Sequence, residues 1–562
     1  MQKTGLGAIV WWPCFAPLPN ELSDDMKKSL PILLSICSFG ATLSAQTYTL
    51  QSNHVKATIH VDGAVFTDGQ SGKFIPVQSG LPELSLLNGS GIWIACKDAG
   101  GTLKGAVERL GSTDFTPGVL DPVSGENISR LLDIWPVTCA DLAQTKHDFE
   151  DNGLIDNPNP RVFAFPGKGN PFFTQYNPAA PNLPFTIQAL ASFYDLNLDA
   201  VYNPEYGDLP SADIRGCAGV FANELAWSVF NDRQAGPHPS GLSPVGMEIQ
   251  RDVFVLAVPG SALLDNTVFV KYKLINRSTE VLDSCVVGLY SDIAIGNQND
   301  DFIGSIPGQM VFAYNGDGND ENGFGMKMPV LGIQLLRGPL AQVDSFNTVE
   351  LDLSSALAIP DPAGLSASEI YNLMKGRQAD GSAGPDGGFV FPGDPNLSGA
   401  QSEIAAGSTP GKRRILMNTG PFTLLPGAVN EFIVAYHYAY AEGASSLESI
   451  STLLENAQNI RALFDNCFDA TEPSCSAVLE APEETKETGF SLYPNPAAQN
   501  ITIESKDAPF SNIEIRDMLG RSIHQITLPA GTKKWDVPVG QLPAATYWVR
   551  VDNRAYPVVI QR

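Results

Sequence analysis

The residues best suited to chemistry are oxygen donors in one short stretch, Asp195-Leu-Asn-Leu-Asp-Ala-Val-Tyr-Asn-Pro-Glu-Tyr-Gly-Asp208. Oxygen side chains at positions one, three and five of a loop, here Asp195, Asn197 and Asp199, can converge on one hard cation. The backbone carbonyl of Val201 at position seven and the later carboxylate of Asp208 would complete the shell, and calcium is the cation it suits. Position six is Ala200 where an EF-hand has glycine, and position twelve is Tyr206 where it has glutamate. The pattern is that of a looser calcium loop of an extracellular β protein. Turn-forming Asp and Asn explain the same residues without a metal, so both readings stand.

Three further acidic segments, Asp148-Phe-Glu-Asp-Asn-Gly153, Asn297 to Asp301 and Asp317-Gly-Asn-Asp-Glu321, read as solvated turns. Enzyme signatures fail. There is no His-Glu-x-x-His, Gly241-Leu-Ser-Pro-Val is not a nucleophile elbow, and Gly411-Lys-Arg lacks the rest of a phosphate loop. A pair of carboxylates would serve a glycosidase, but with 61 acidic residues no pair is singled out. His238, in Gly-Pro-His-Pro-Ser, reads as a turn residue and not as a general base. Trp93, Trp135 and Trp227 add to the aromatic content, and Tyr436, Tyr438 and Tyr440 share one face of a strand. Core packing explains the tyrosines better than stacking on sugar rings.

The elements that must position these residues are mostly strands. Val268 to Ile275 alternates in period two, as a half-buried strand does, and Met247 to Val258, Ser284 to Tyr290, Met310 to Tyr314 and Phe432 to Tyr440 are similar. Glycine (52) and proline (42) are frequent, which suits many turns and antiparallel sandwiches more than alternating β-α units. Two helices stand out. Ser366-Ala-Ser-Glu369 is a capping box for a short helix through Met374. The other starts at Ser445-Ser-Leu-Glu448 and carries an apolar stripe of Leu447, Ile450, Leu454, Ala457, Ile460 and Phe464.

The formal charge is −26, and residues 1–45 add nothing to it, so the working body is acidic. That excludes nucleic acid as a partner, since its phosphates demand Lys and Arg. Met26-Lys27-Lys28 followed by the apolar Leu30 to Phe39 and by Thr42-Leu-Ser-Ala45 reads as a signal peptide cleaved near Ala45. Residues 1–25 then come from an upstream start codon. No transmembrane segment follows the signal. Six cysteines remain beyond it: Cys96, Cys139, Cys217, Cys285, Cys467 and Cys475. An even count in an exported chain favours disulfides with open connectivity, and Cys467 and Cys475 are near enough in sequence to pair.

The expected organisation is all-β: a large sandwich-type domain with two short helices over residues 46–466, an acidic linker over 467–488, and a small immunoglobulin-like sandwich over 489–562. Strands in the last are expected at Asn500 to Glu504, Ile513 to Asp517, Ser522 to Thr527, Lys534 to Val537 and Thr546 to Val551. Here Leu492-Tyr-Pro-Asn-Pro-Ala497, Ile513-Glu-Ile-Arg-Asp-Met-Leu-Gly520 and Leu542-Pro-Ala-Ala-Thr-Tyr-Trp-Val-Arg550 occur in that order. They resemble the type A C-terminal sorting domain of the type IX (Por) secretion system. Tyr493, Pro494, Asn495, Pro496, Gly520 and Tyr547 carry the likeness, while Ala545 departs from the glycine usual there. The resemblance implies export through the type IX machinery to the outer-membrane surface or the medium. It also implies removal of the domain or its exchange for a surface lipopolysaccharide anchor. The large domain resembles uncharacterised exported proteins that bear the same sorting domain, a likeness that implies no activity. The reading is thus of a secreted cargo with a structural or binding role, calcium its expected cofactor; the alternative is an exported hydrolase of polysaccharide or protein.

Overall fold

The computed structural model describes residues 47–561 apart from 178–189, 216, 218, 259–260, 345–346, 444, 469–474, 476–489, 506–508, 517–521, 544 and 552–553. The upstream extension, the signal peptide and Gly520 lie outside the described residues.

Two antiparallel sheets form the large domain. The wider runs Asp301–Ile306, Met310–Asn315, Val330–Arg337, Val429–Ala439, Thr267–Asn276, Met247–Val255, Glu224–Asn231 and Thr116–Pro117, with Ile134–Thr138 also on Glu224–Asn231. The narrower runs Ser355–Ala358, Arg414–Leu424, Leu282–Ile293, Leu87–Lys97 and Leu103–Val107. A three-stranded sheet of Thr47–Leu50, Val55–His60 and Phe74–Pro76 joins its edge through a bridge between Val65 and Ser90.

Period-two alternation sets the layers. Val268, Val270, Tyr272 and Leu274 face inward with Val434, Tyr436 and Tyr438 onto Ile92, Ile94, Val287, Leu289, Ile415 and Met417. Tyr436 and Tyr438 are buried and Tyr440 packs at the margin, as core packing requires. The strand Thr267–Asn276 is not half-buried, however, because its outer face is covered as well. Phe254, Phe269, Ile433 and Ala435 meet a second core with Trp135, Trp227, Leu142, Ile460 and Phe464. Lys271, which the alternation places on that outer face beside Phe269, is therefore buried, whereas Arg251 shares the inner face of Ile249 and Val253 and is buried between the sheets.

Helices and an irregular segment supply that third layer. Ser446–Asp465 starts at the Ser445/Glu448 capping box and buries Ile450, Leu453, Ala457, Ile460 and Phe464. Ala367–Met374 follows its own box but lies outside that layer, packing Ile370, Leu373 and Met374 on Trp93, Tyr290 and Leu416 of the narrower sheet. A third long helix, Cys139–Asn152, was not legible from periodicity, since it buries only Leu142 and Thr145. It runs through the segment read as an acidic turn at Asp148. Its signals are the ends: Thr138 and Asp141 form a capping box, and Gly153 closes it at φ 81°.

The cysteines correct one expectation. Cys467 and Cys475 do not pair with each other; Cys467 bonds Cys217 and Cys475 bonds Cys139. Proximity in sequence was outweighed by the third layer, which brings residues 250 and 336 positions away alongside. Cys96 and Cys285 are free and buried.

The terminal domain has its own core. Phe490–Tyr493, Asn500–Ser505 and Lys534–Pro538 form one sheet; Ser522–Thr527, Asn512–Arg516, Thr546–Val551 and Arg554–Val559 form the other. Ile501, Ile503, Ile513, Ile515, Val537, Val549, Val551 and Val558 fill the space between. All five expected strands are present, within a residue at each end.

Candidate functional site

The Asp195–Asp208 loop is closed at its base by pairing of Phe193 with Pro210 and Tyr194 with Leu209. That closure brings Asp208 back to the start of the loop. Asp208 is fully buried, and its two oxygens accept from the amides of Leu196 and Asn203, each at 2.9 Å. Asp195 accepts from Asp199 N at 3.2 Å and Ala200 N at 2.7 Å; Asn197 Oδ1 accepts from Asp199 N at 3.0 Å. Asp199 accepts from Val201 N at 2.8 Å and from Asn197 Nδ2 at 3.1 Å. Val201 is exposed at the rim. Side chains from Asp195, Asn197, Asp199 and Asp208 are thus gathered, with their oxygens turned to the loop's own amides. Burial pushes the Asp208 carboxyl up to about 7, opposed by its two amide bonds and assisted by the charges of Asp195 and Asp199. Leu198 and Ala200 are left-handed, at φ 60° and 61°, so Ala200 holds the conformation for which an EF-hand uses glycine. Among the described residues, no group of three or more His, Cys, Asp or Glu side chains is arranged to hold a metal ion.

The segments Asn297–Asp301 and Asp317–Glu321 are not separate solvated turns. Asn297 N donates to Asp320 Oδ1 at 3.0 Å and Asn297 Nδ2 to Asp300 Oδ2 at 2.9 Å, and Asp300, Asp301 and Asp320 are buried. Two loops docked on each other shut out the water each alone would have kept. His238 is held structurally, its ring nitrogens 3.0 Å from Gly105 O and 2.8 Å from Asp232 O.

A polar cleft of about 530 Å³ opens at one end of the narrow sheet. Its lining comes from the end of Val55–His60 and the turn after it, the start of Leu87–Lys97, the end of Leu103–Val107 and the residues beyond, the end of Leu282–Ile293, and the approach to Arg414–Leu424. Glu108 and His60 are 2 % and 5 % exposed, yet Glu108 Oε2 and His60 Nε2 have no hydrogen-bond partner. The other Glu108 oxygen accepts from Leu110 N at 2.7 Å, and Trp93 Nε1 donates to the Glu108 carbonyl at 2.6 Å. The side chain lies against Gly91, where a Cβ would fall 2.2 Å from Glu108 Cγ, so the strand needs glycine there. Burial first, then the neighbouring Asp62 charge, pushes the Glu108 carboxyl up to about 7.

Beneath the floor, the buried Arg251 guanidinium donates to the carbonyls of His60, Gly63 and Ala64 and to Ser228 Oγ, fixing the turn that carries His60 and Asp62. Across the cleft, Asn88 Nδ2 donates to Asp292 Oδ1 at 2.9 Å and Gln298 Oε1 at 3.0 Å. Asp292 Oδ2 is bound by Arg414 Nε at 3.0 Å and lies 3.5 Å from Lys412 Nζ. Sequence reasoning took none of these as site residues, passing over Lys412 in Gly411-Lys-Arg and Gln298 in the segment Asn297 to Asp301. Nothing in their local spacing marks them.

In the terminal domain, Tyr493 donates to Glu504 and accepts from Lys534 Nζ. Asn495 Oδ1 accepts from Val559 N at 2.8 Å, and Ala497 pairs with Val559 and Gln561, so the Tyr-Pro-Asn-Pro segment is pinned to the chain's last strand. Tyr547 is buried and donates to Pro543 O at 3.0 Å. Ala545 is not among the left-handed residues, so its methyl group is accommodated without strain. Residues 491–562 match the family model described as a secretion system C-terminal sorting domain. The chain ends in a type IX sorting domain. The sorting domain marks the protein for export by that system to the cell surface or the extracellular space. Among the described residues, no helix is long and apolar enough to cross a membrane. No curated protein matches the chain. Among solved structures, a polysaccharide lyase is similar at 11 % identity and a TM-score of 0.17, over 60 % of this chain and 39 % of its own length. A likeness that slight carries no argument about the large domain.

Proposed function

We propose that this is a binding protein delivered by the type IX route, with the polar cleft as its ligand site and the Asp195–Asp208 loop as a calcium-held brace. The observation that carries the binding role is the pair of unpartnered buried atoms, Glu108 Oε2 and His60 Nε2, lining one cleft. Buried polar atoms are nearly always satisfied, and leaving one bare costs about 1–3 kcal/mol. A ligand reaching the cleft floor would supply both partners. Calorimetry with the exported protein tests this: a ligand whose heat is retained in Glu108→Ala and His60→Ala would sink it.

Calcium draws support from the three carboxylates that share one loop, where the charges of Asp195 and Asp199 raise the proton affinity of Asp208. Binding would exchange amide bonds of Asp195 and Asp199 for metal bonds. Titration of calcium into chelator-treated protein, read by heat and melting temperature, decides the matter; no heat and no shift rejects it. The hydrolase reading keeps one supporting observation, that Asp62 and Glu108 are neighbouring carboxylates of the kind that split glycosidic bonds. Polysaccharide cleavage lost in Glu108→Gln would favour it.

After export, the sorting domain is removed or exchanged for a lipopolysaccharide anchor, and the mature chain begins at Gln46. Mass spectrometry of the surface form reads both ends, and fractionation with residues 489–562 deleted should leave the protein short of the surface.

A further inference from the structure

We infer that the cleft takes a neutral, hydroxyl-rich ligand, a saccharide, held by hydroxyl hydrogen bonds to Glu108 and His60. The inference rests on the binding role proposed for the cleft and narrows it to a ligand class.

Charge excludes most alternatives. The Arg251 guanidinium lies under the floor within range of both Asp62 and Glu108 and offsets their charges. Asp292 is already matched by Arg414 and Lys412. The carboxylates repel a polyanion, while Lys412 at the wall and Arg251 below oppose a cation. What remains is a nearly balanced field, in which a neutral ligand loses least. Apolar ligands are poorly served, since Ala64 and Leu110 are the apolar side chains in the lining and no Phe, Tyr or Trp is among them. The volume, about 530 Å³, is that of a small-molecule site.

The unpartnered atoms then choose hydroxyls. Glu108 Oε2 accepts when ionised and donates when protonated, and His60 Nε2 does either according to tautomer. A hydroxyl can answer all of these states because it both donates and accepts. A carbonyl or an ammonium can answer only some. Asn88 and Gln298, tied to each other and to Asp292, hold amide groups at the rim in fixed orientation. Preset donors and acceptors of this kind suit the ring hydroxyls of a sugar, which project in fixed directions.

The test is calorimetric titration of the full chain with three sets of probes: neutral mono- and oligosaccharides, uronic-acid oligomers, and spermidine. A neutral saccharide is expected to bind, weakened at least tenfold in Glu108→Ala and in His60→Ala. Gln70→Trp, a substitution at the exposed mouth that touches neither buried atom, is expected to block it as well while leaving the melting temperature unchanged. Saccharide binding that survives Gln70→Trp overturns the site. Binding of only a uronate or only spermidine, sensitive to the same variants, overturns the ligand class and leaves the binding role intact. No binding by any of the three sets overturns both.

Discussion

Asp208 and Glu108 are both buried carboxyls pushed up to about 7, and burial is the first cause in each. Their hydrogen bonds differ. Both Asp208 oxygens are met by backbone amides of its own loop, whereas one Glu108 oxygen faces a cleft with no partner. The first carboxyl ties both of its oxygens to its own loop; the second ties one to Leu110 N and turns the other to the cleft. A perturbed proton affinity alone therefore does not separate a structural carboxyl from a site carboxyl. An unsatisfied oxygen that also lines an open cleft distinguishes Glu108 from Asp208.

The strongest way to separate the two regions is reduction of the disulfides. Both fasten the layer that carries the Asp195 loop, and the cleft lies on the other side of the wide sheet. For loops this long, chain entropy assigns about 5–6 kcal/mol to each bridge as an upper figure. Hydrogen exchange after reduction should rise more than tenfold around Asp199 and little around Glu108. Equal rises would mean the layers do not open separately.

Substitution gives the next largest contrast. Asp208→Ala strands two amides in a buried place and should cost about 2–5 kcal/mol in urea unfolding. Glu108→Gln keeps the bond from Leu110 and removes a desolvated charge, so it should stay within about 1 kcal/mol. Similar losses at the two positions would erase the distinction.

The pH dependence has a fixed sign. A carboxyl whose folded value lies above its ordinary 3.8 keeps its proton in the folded state after the unfolded chain has lost it. Stability of the metal-free protein should therefore fall as pH rises from about 4 to about 7, with Asp208 and Glu108 acting in the same direction. Calcium in the loop would hold Asp208 ionised and flatten its share while leaving that of Glu108. Asp208→Asn, unfolded in urea across this range, should flatten the same share without calcium; an unchanged slope would contradict the assignment.

The smallest expected effect is at Ala200. Glycine there relieves a left-handed alanine at φ 61° and should stabilise the loop by about 1 kcal/mol, read as a rise in melting temperature. A destabilised Ala200→Gly would show that the methyl group packs instead of straining.

Strands, capped helices and the sorting domain were legible because each is written locally. Alternation in Phe432 to Tyr440, the Ser445/Glu448 box and the three motifs after Leu492 need no distant residue to be read. The helix Cys139–Asn152 was missed because its packing face is nearly absent and only its caps mark it. The disulfide partners were missed for the opposite reason, since sequence distance says nothing about which layer a cysteine joins.

The candidate sites divide along the same line. The sequence alone determined the Asp195–Asp208 loop, since donors spaced within one turn must meet wherever that turn is placed. Only the tertiary structure decided the cleft, because His60 and Asp292 come from separate strands, Glu108 and Lys412 flank two others, and all four meet only where the narrow sheet ends. It also decided that Glu108 is buried and half-bonded, a condition set by Gly91, Asp62 and Arg251 and by nothing in the neighbouring sequence. Burial is a property of neighbours brought from afar, and it is burial that sets this glutamate apart from an ordinary one.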